Sequence, residues 1–442
     1  MPIYLLQQEW FWFWFQVLKK LLDFNESLFS YFCFKIYNIN FLLIKISELI
    51  LSICSLFSKK IEKGTIGRKN SFKKLNLTFK KGDKIIHIHC ASHGEYLLSK
   101  KLIKNLKQIF ENHKFLLSFI SPSGFENVEN DLFDCIIYLP LASNKNCIKF
   151  YNIIKPSATF FIKNEVWPNY IKHAKLNGSK VYSIGGNFRT NFLKEFLKIN
   201  SGIKQFDRIY TINEKSKKVI ESIGNKNTIV CGDLRFDADI LKLTKKASEN
   251  IKKFIDNKKC IVFGSTWRED EDIILAYIKN SDRKIKYIIA PHEISNNPER
   301  IKKYLGNKSI LYSDIKLKTN LKEFSYLVID NIGMLSALYN YASISYVGGG
   351  MGEEGLHNTL EPAYFSKPII IGKNYKKFDE ATEMIKIGNM ISISNYNEFY
   401  NACESLIENE NLSLNMSKKC TEYFNKKKGA VEIIINDLKL RN

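Results

Sequence analysis

"HIHCASHGEYLLSKKLI" (residues 87–103) reads as a strand, a tight polar loop and a helix in direct succession. The same unit recurs along the chain. Short β-branched or aromatic runs ("KIIHIHC", "KFLLSFI", "CIIYLP", "ATFFI", "KVYSIGG", "RIYTIN", "TIVCG") alternate with helical patterns from residue 84 onward. A second series begins at "CIVFGST" (260–266) and continues through "KYIIAPH", "YLVID", "ISYVGGG" and "KPIIIG". Strand and helix in alternation imply parallel sheets with crossover helices. The expected fold is α/β, with two Rossmann-like domains facing a cleft, because ligands of open parallel sheets bind at the carboxyl ends of the strands. The lysine-rich stretch 241–259 separates the two series. The expected divisions are a hydrophobic membrane-anchor segment (1–60), an N-terminal Rossmann-like domain (61–240) and a C-terminal one (241–442).

The 442 residues carry a formal net charge of +22, which favours an anionic partner. Basic residues are dispersed, and neither an arginine-rich arm nor a nucleic-acid motif is present, so nucleic acid is not expected. Nine cysteines without a C-x-x-C indicate a reducing compartment and exclude a disulfide framework. The first 60 residues are the most apolar: "EWFWFWFQVL" (9–18) and "FLLIKISELILSICSLF" (41–57). The second is interrupted by Lys45 and Glu48 and is shorter than the ~20 apolar residues of a membrane span. The basic stretch 58–74 follows it, a pairing suited to the cytoplasmic face of an anionic membrane.

In the quoted stretch, Glu95 opens the helix at the strand's carboxyl end. It serves there either as a ligand-facing carboxylate or as a first-turn charge complementing the helix dipole. His87 and His89 share one face of the strand, but with His93 they lack a further ligand at helical spacing, so no metal is expected. "ATFFIKNEVWPNYI" places Glu165 after a second strand, and two carboxylates at strand ends are the raw material of acid–base chemistry. Arg189 and Arg235 follow further strands, where guanidinium groups could meet carboxylate or phosphate of a ligand; either could equally be a surface ion-pair residue.

"YVGGGMGEEGLHNTLEPA" (346–363) holds five glycines within eight positions and contains G-x-G-x-x-G. A dinucleotide site also wants an acidic residue ~20 positions on, at the end of the next strand. "KPIIIGKN" supplies none before Asp379. Bare backbone before a helix suits close approach of a single phosphate. Asn358 is expected as the N-cap and Glu361 as its capping-box partner; alternatively Glu361 turns to a ribose hydroxyl.

"ASHGE" (91–95), "NEVWP" (164–168), "GDLRFD" (232–237), "GSTWREDE" (264–271), "DNIGMLSALYNYASISYVGGG" (330–350) and "HNTLEPA" (357–363) together resemble the 3-deoxy-D-manno-octulosonic acid (Kdo) transferases of lipopolysaccharide synthesis, over roughly residues 60–400. The resemblance implies a GT-B glycosyltransferase fold with an N-terminal membrane-associated helix on the cytoplasmic side of the inner membrane. It implies transfer of Kdo from CMP-Kdo to a lipid A precursor, with inversion and without metal or other cofactor. By position, Glu95 resembles the family's general base, and Glu165 and Arg235 its transition-state stabilisers. Pro291, His292, Ile332, Gly333, Met334, Asn358, Thr359, Leu360 and Glu361 match the stretches that hold CMP. The chain departs from the family at Arg235, usually lysine, at Pro291-His292, commonly Pro-Arg, at Met334, where an acidic residue is expected, and at Thr359, usually proline. Transfer of another activated sugar, or a non-catalytic membrane-bound role, are the alternatives.

Overall fold

The computed structural model describes residues 59–128, 130–189, 202–239, 244–316 and 320–440. The apolar stretches expected to anchor the protein, within residues 1–58, lie outside the described residues. Two compact units form: residues 1–239 with 428–442, and residues 240–427.

The first unit is built on a seven-stranded parallel sheet of order β3-β2-β1-β4-β5-β6-β7. Its strands are β1 (Ile85–Cys90), β2 (Lys114–Phe119), β3 (Cys135–Tyr138), β4 (Ala158–Ile162), β5 (Lys180–Gly186), β6 (Arg208–Thr211) and β7 (Thr228–Val230). β1 is buried along its whole length, which explains its near-continuous apolar run. The order reverses between β1 and β4, which pair in parallel from Ile86↔Ala158 to His89↔Phe161. That reversal is the topological switch point where such sheets bind ligands.

The second unit repeats the plan with order β10-β11-β9-β8-β12-β13-β14. Here β8 is Cys260–Thr266, β9 Lys286–Pro291, β10 Ser309–Leu311, β11 Tyr326–Val328, β12 Ile344–Val347, β13 Ile369–Gly372 and β14 Met390–Ile393. Its switch point lies between β8 and β12. Two edge strands, β10 and β14, of three and four residues, were not among the runs read from the sequence. The lysine-rich boundary forms the helix Lys245–Ile255, which buries Ala247, Ile251 and Phe254 on one side.

One boundary is corrected. The expected C-terminal domain ran to residue 442, but the last helix, Ala430–Lys439, packs into the first unit's core. Val431, Ile434, Ile435 and Leu438 join Ile88, Tyr96 and Tyr210 there. Arg208 (2.8 and 2.9 Å) and the Tyr210 hydroxyl (2.8 Å) both donate to Asp437. Asp237 accepts the Gly429 and Val431 amides at 3.0 and 2.9 Å, satisfying two of the open N–H groups at that helix start.

The basic stretch after the apolar segment is likewise part of the fold. Lys59–Thr78 is a helix whose Ser71 hydroxyl donates to the Tyr138 carbonyl at 2.7 Å and whose Arg68 donates to the Ile120 carbonyl at 2.9 Å. Lys69 and Lys73 are exposed, while the exposed Lys63 pairs with Glu126 at 2.7 Å and Lys74 lies over the Phe125 ring.

Candidate active site

Ser92 caps the helix His93–Ile109, so Glu95 falls in its first turn. An ordinary first-turn charge would be exposed; Glu95 is 6% exposed. Its Oε2 turns back to accept the Ala91 amide at 2.5 Å. Burial pushes its carboxyl up, and the like charge of Glu165 adds to this; the Ala91 amide and the nearby Lys163 only partly offset them, leaving it at about 8.

Glu165, on the loop after β4, is fully buried. Its Oε2 accepts the Trp167 indole N–H at 2.6 Å and lies 3.6 Å from His89 Nε2. Glu165 Oε1 has no hydrogen-bond partner. Adjacent β1 and β4 thus deliver the two sequence-identified carboxylates to one switch point. The raised proton affinity of Glu95 has a physical cause: a carboxylate buried beside another carboxylate resists ionising.

Arg235 is held differently from a free cation. On the short 3-10 turn Leu234–Phe236 after β7, its Nε and Nη2 both donate to Asp233 Oδ2, at 2.8 and 2.7 Å. Lys163 lies 3.6 Å from Asp233 Oδ1. Burial alone would raise Asp233, but Lys163 and Arg235 outweigh it and hold the carboxyl at about 2. The sequence reading missed Lys163 and Asp233, although both lie in or beside stretches it singled out, "IKNEVWP" and "GDLRFD". Arg189 is exposed.

His87 and His89 both point at Ser118 of β2, with ring nitrogens 2.8 and 2.9 Å from its hydroxyl. Burial first, and then His89, hold His87 well below the usual imidazole range. Among the described residues, no three His, Cys, Asp or Glu side chains are grouped to hold a metal ion.

In the second unit the residues matched to CMP binding sit at the carboxyl ends of β9, β11 and β12. Three rings meet there. The Trp267 indole donates to His357 Nε2 at 2.8 Å, and the two rings lie near one plane, 10° apart. His292 lies over both, with centroids 4.5 and 4.6 Å away. Burial, and then His292, lower His357 to about 4, which fits the acceptor role of its Nε2. His292 itself is exposed. Trp267 and His357 were not picked out individually from the sequence; "GSTWREDE" and "HNTLEPA" carried the signal. Ile332 is 83% exposed and Gly333 adopts φ +96°, while Met334 is buried with its sulfur 3.0 Å from the Asn331 amide.

Two expectations about the glycine-rich stretch are corrected. No capping box forms: Thr359 is the N-cap of the short helix Leu360–Tyr364 and makes no side-chain cap bond. Asn358 Oδ1 accepts the Leu360 amide at 3.2 Å, and its amide donates to Glu361 Oε1 at 3.2 Å. Burial raises the Glu361 carboxyl to about 7, with Asn358 pulling the other way. Nor do the first glycines form an open cradle. A Cβ on Gly348 would lie 2.3 Å from the Ser265 carbonyl oxygen, and one on Gly350 would lie 2.9 Å from the Gly372 nitrogen. Their bare backbones let β8, β12 and β13 close on one another. Asp270 fixes the loop by accepting the Gly349 amide (2.8 Å), the Trp267 amide (2.9 Å) and the Tyr346 hydroxyl (2.7 Å).

Residues 66–238 match the family model for 3-deoxy-D-manno-octulosonic-acid transferase (kdotransferase). The chain is a glycosyltransferase akin to the Kdo transferases. It is 29% identical over 351 residues to 3-deoxy-D-manno-octulosonic acid transferase of Rickettsia typhi, covering 76% of this chain and 75% of that protein. With the Aquifex aeolicus enzyme of the same name it shares 27% identity over 306 residues, 68% of this chain and 79% of that one. A bifunctional glycosyltransferase/methyltransferase of Fusobacterium nucleatum is 28% identical over 345 residues; these cover 75% of this chain but only 53% of that longer protein. Solved structures share the two-domain GT-B architecture. UDP-GlcNAc 2-epimerase from Neisseria meningitidis superposes with a TM-score of 0.58 at 16% identity, over 81% of this chain and 100% of that one. A glycosyltransferase from Rickettsia africae gives 0.54 at 13% identity, over 81% and 98%.

Proposed function

We propose that the protein transfers Kdo from CMP-Kdo to a lipid A precursor of the lipid IVA type, with inversion, in lipopolysaccharide core synthesis. The observation that carries this reading is Glu95: a buried carboxyl at the switch point, beside Glu165, raised to about 8 in a relative of the Kdo transferases. A carboxylate of that basicity, once deprotonated, takes a proton from an acceptor hydroxyl near neutral pH far better than an exposed glutamate does. Inversion requires one such base, acting on the hydroxyl that attacks as the phosphate departs. Glu165 keeps negative charge beside Glu95. Arg235, with Lys163, supplies the positive charge that meets developing negative charge in the transition state.

In the second unit, Pro291, His292, Ile332 to Met334 and Asn358 to Glu361 hold CMP. The departing group carries a single phosphate, and the exposed His292 and backbone amides offer it hydrogen bonds, so the reading involves no metal. Asn358 and Glu361 receive the ribose hydroxyls. Residues 1–58 and the lysines of the Lys59–Thr78 helix attach the enzyme to the anionic cytoplasmic face of the inner membrane.

Incubation with CMP-Kdo and lipid IVA tests the reading. Release of CMP, together with a lipid product heavier by one or more Kdo units, is expected. CMP-Kdo left intact, or CMP released without a glycosylated lipid, overturns the proposal.

A further inference from the structure

We infer that His89 is a positioning residue: oriented by Ser118, its imidazole presents a hydrogen-bond donor to the Glu165 carboxylate and so keeps that charge beside Glu95. The inference rests on Glu95 acting as the base. Its own foundation is the buried chain running from His87 through Ser118 and His89 to Glu165.

A serine hydroxyl has one proton, so Ser118 donates to one imidazole and accepts from the other. Two directions are open. In the first, His87 Nε2–H donates to Ser118, which donates to His89 Nδ1, and the His89 proton sits on Nε2 facing Glu165 Oε2 at 3.6 Å. In the second, a bare Nε2 lone pair faces a carboxylate where both groups are buried from solvent, an arrangement that burial penalises. The first direction is therefore the stable one.

Orphaned atoms lead to the same place. His89 Nε2 and Glu165 Oε1 are both buried without hydrogen-bond partners. His87 Nδ1 is orphaned too, but of the two rings only that of His89 turns its free nitrogen to a carboxylate. The Trp167 indole already donates to Oε2 at 2.6 Å, and His89 Nε2 faces the same oxygen from 3.6 Å, within ion-pair but not hydrogen-bond distance. The other titratable groups around the carboxylates are Glu95 itself, Lys163 and Cys90. Lys163 lowers the proton affinity of Glu95, and both carboxylates raise the Cys90 thiol after burial has done so. His89 is the imidazole in direct reach of Glu165.

Two substitutions separate the two ring nitrogens. In His89→Gln the side-chain amide reaches the place of Nε2 and keeps a donor toward Glu165. In His89→Asn it reaches only the place of Nδ1 and keeps the Ser118 contact alone. The pH of half-maximal kcat/KM is read from CMP release with CMP-Kdo and lipid IVA. The Glu95 titration is read without turnover, from the protonated-carboxyl band in the infrared, assigned by its loss in Glu95→Gln. His89→Asn should move both midpoints acidward by about one pH unit, the scale expected when a neighbouring like charge is removed. His89→Gln should hold them near the wild-type position. Unmoved midpoints in His89→Asn, or equal shifts in both variants tracking a lowered melting temperature, overturn the inference. Should His89→Asn fail to fold, Ser118→Ala must move the infrared midpoint in the same direction, or the inference falls. Undiminished turnover in Glu95→Gln would refute the base assignment instead, leaving the infrared comparison to decide the role of His89.

Discussion

Glu95→Gln separates chemistry from stability in one substitution. The amide keeps the side chain's size and an oxygen for the Ala91 amide, and removes the proton acceptor. Loss of a general base costs ~10²–10⁴-fold in turnover. The wild-type rate should climb with pH and level off above the Glu95 midpoint at about 8, since only the carboxylate can take the acceptor's proton. The variant's residual rate should lose that limb. Stability moves the other way. The folded carboxyl holds its proton up to about 8, whereas the ordinary value is 4.5. The contribution of this group is therefore complete below 4.5 and is lost as pH rises through 8, at ~1.4 kcal/mol for each unit between the two values. Gln carries no charge to bury, so the variant should melt well above wild type at pH 9, and the advantage should disappear by pH 4.5. Turnover assays across pH 6–9, beside melts at pH 4.5, 7 and 9, read both effects. A variant retaining more than about a tenth of the wild-type rate, above the range for a lost base, refutes the assignment; melting differences independent of pH refute the burial argument.

If the Glu361 carboxylate accepts from a CMP ribose hydroxyl, CMP affinity measured by calorimetry should strengthen as pH rises through about 7, and Glu361→Gln should flatten that dependence. Unchanged affinity in the variant would assign Glu361 to the loop alone. Gly348→Ala places a Cβ 2.3 Å from the Ser265 carbonyl oxygen, so it should destabilise the second unit by ~1–3 kcal/mol or more, as overpacking does; an unchanged melt would contradict the close approach. Deleting residues 1–58 should release the protein from anionic vesicles, and salt should weaken binding of the full chain, because charge attraction is screened over ~8 Å at physiological ionic strength. A truncated protein that binds as tightly would locate the membrane contact elsewhere.

The alternation of strand and helix was legible because each strand, buried on both faces, is a near-continuous apolar run and each crossover helix shows one apolar side. β10 and β14 were not, although β7 and β11, equally short, were: strands of three or four residues stand out only when their flanks happen to mark them. Glu95 and Glu165 could be named from their places after strands. That they share one site depends on β1, ending at Cys90, and β4, beginning at Ala158, being neighbours in the sheet although two other strands lie between them in sequence. The last helix shows an apolar stripe in its sequence, yet nothing local says which sheet will cover it.

By itself the sequence determined the class of fold, the carboxylates at strand ends and the kinship carried by short motifs, because these depend on residue type and near-neighbour spacing. Only the tertiary structure decided the raised proton affinity of Glu95, the approach of Lys163 to Asp233, the His87–Ser118–His89 chain and the true use of the glycines. Each of these arises from atoms distant in sequence brought within a few ångströms, and at Glu95 burial and the like charge of Glu165 then act together.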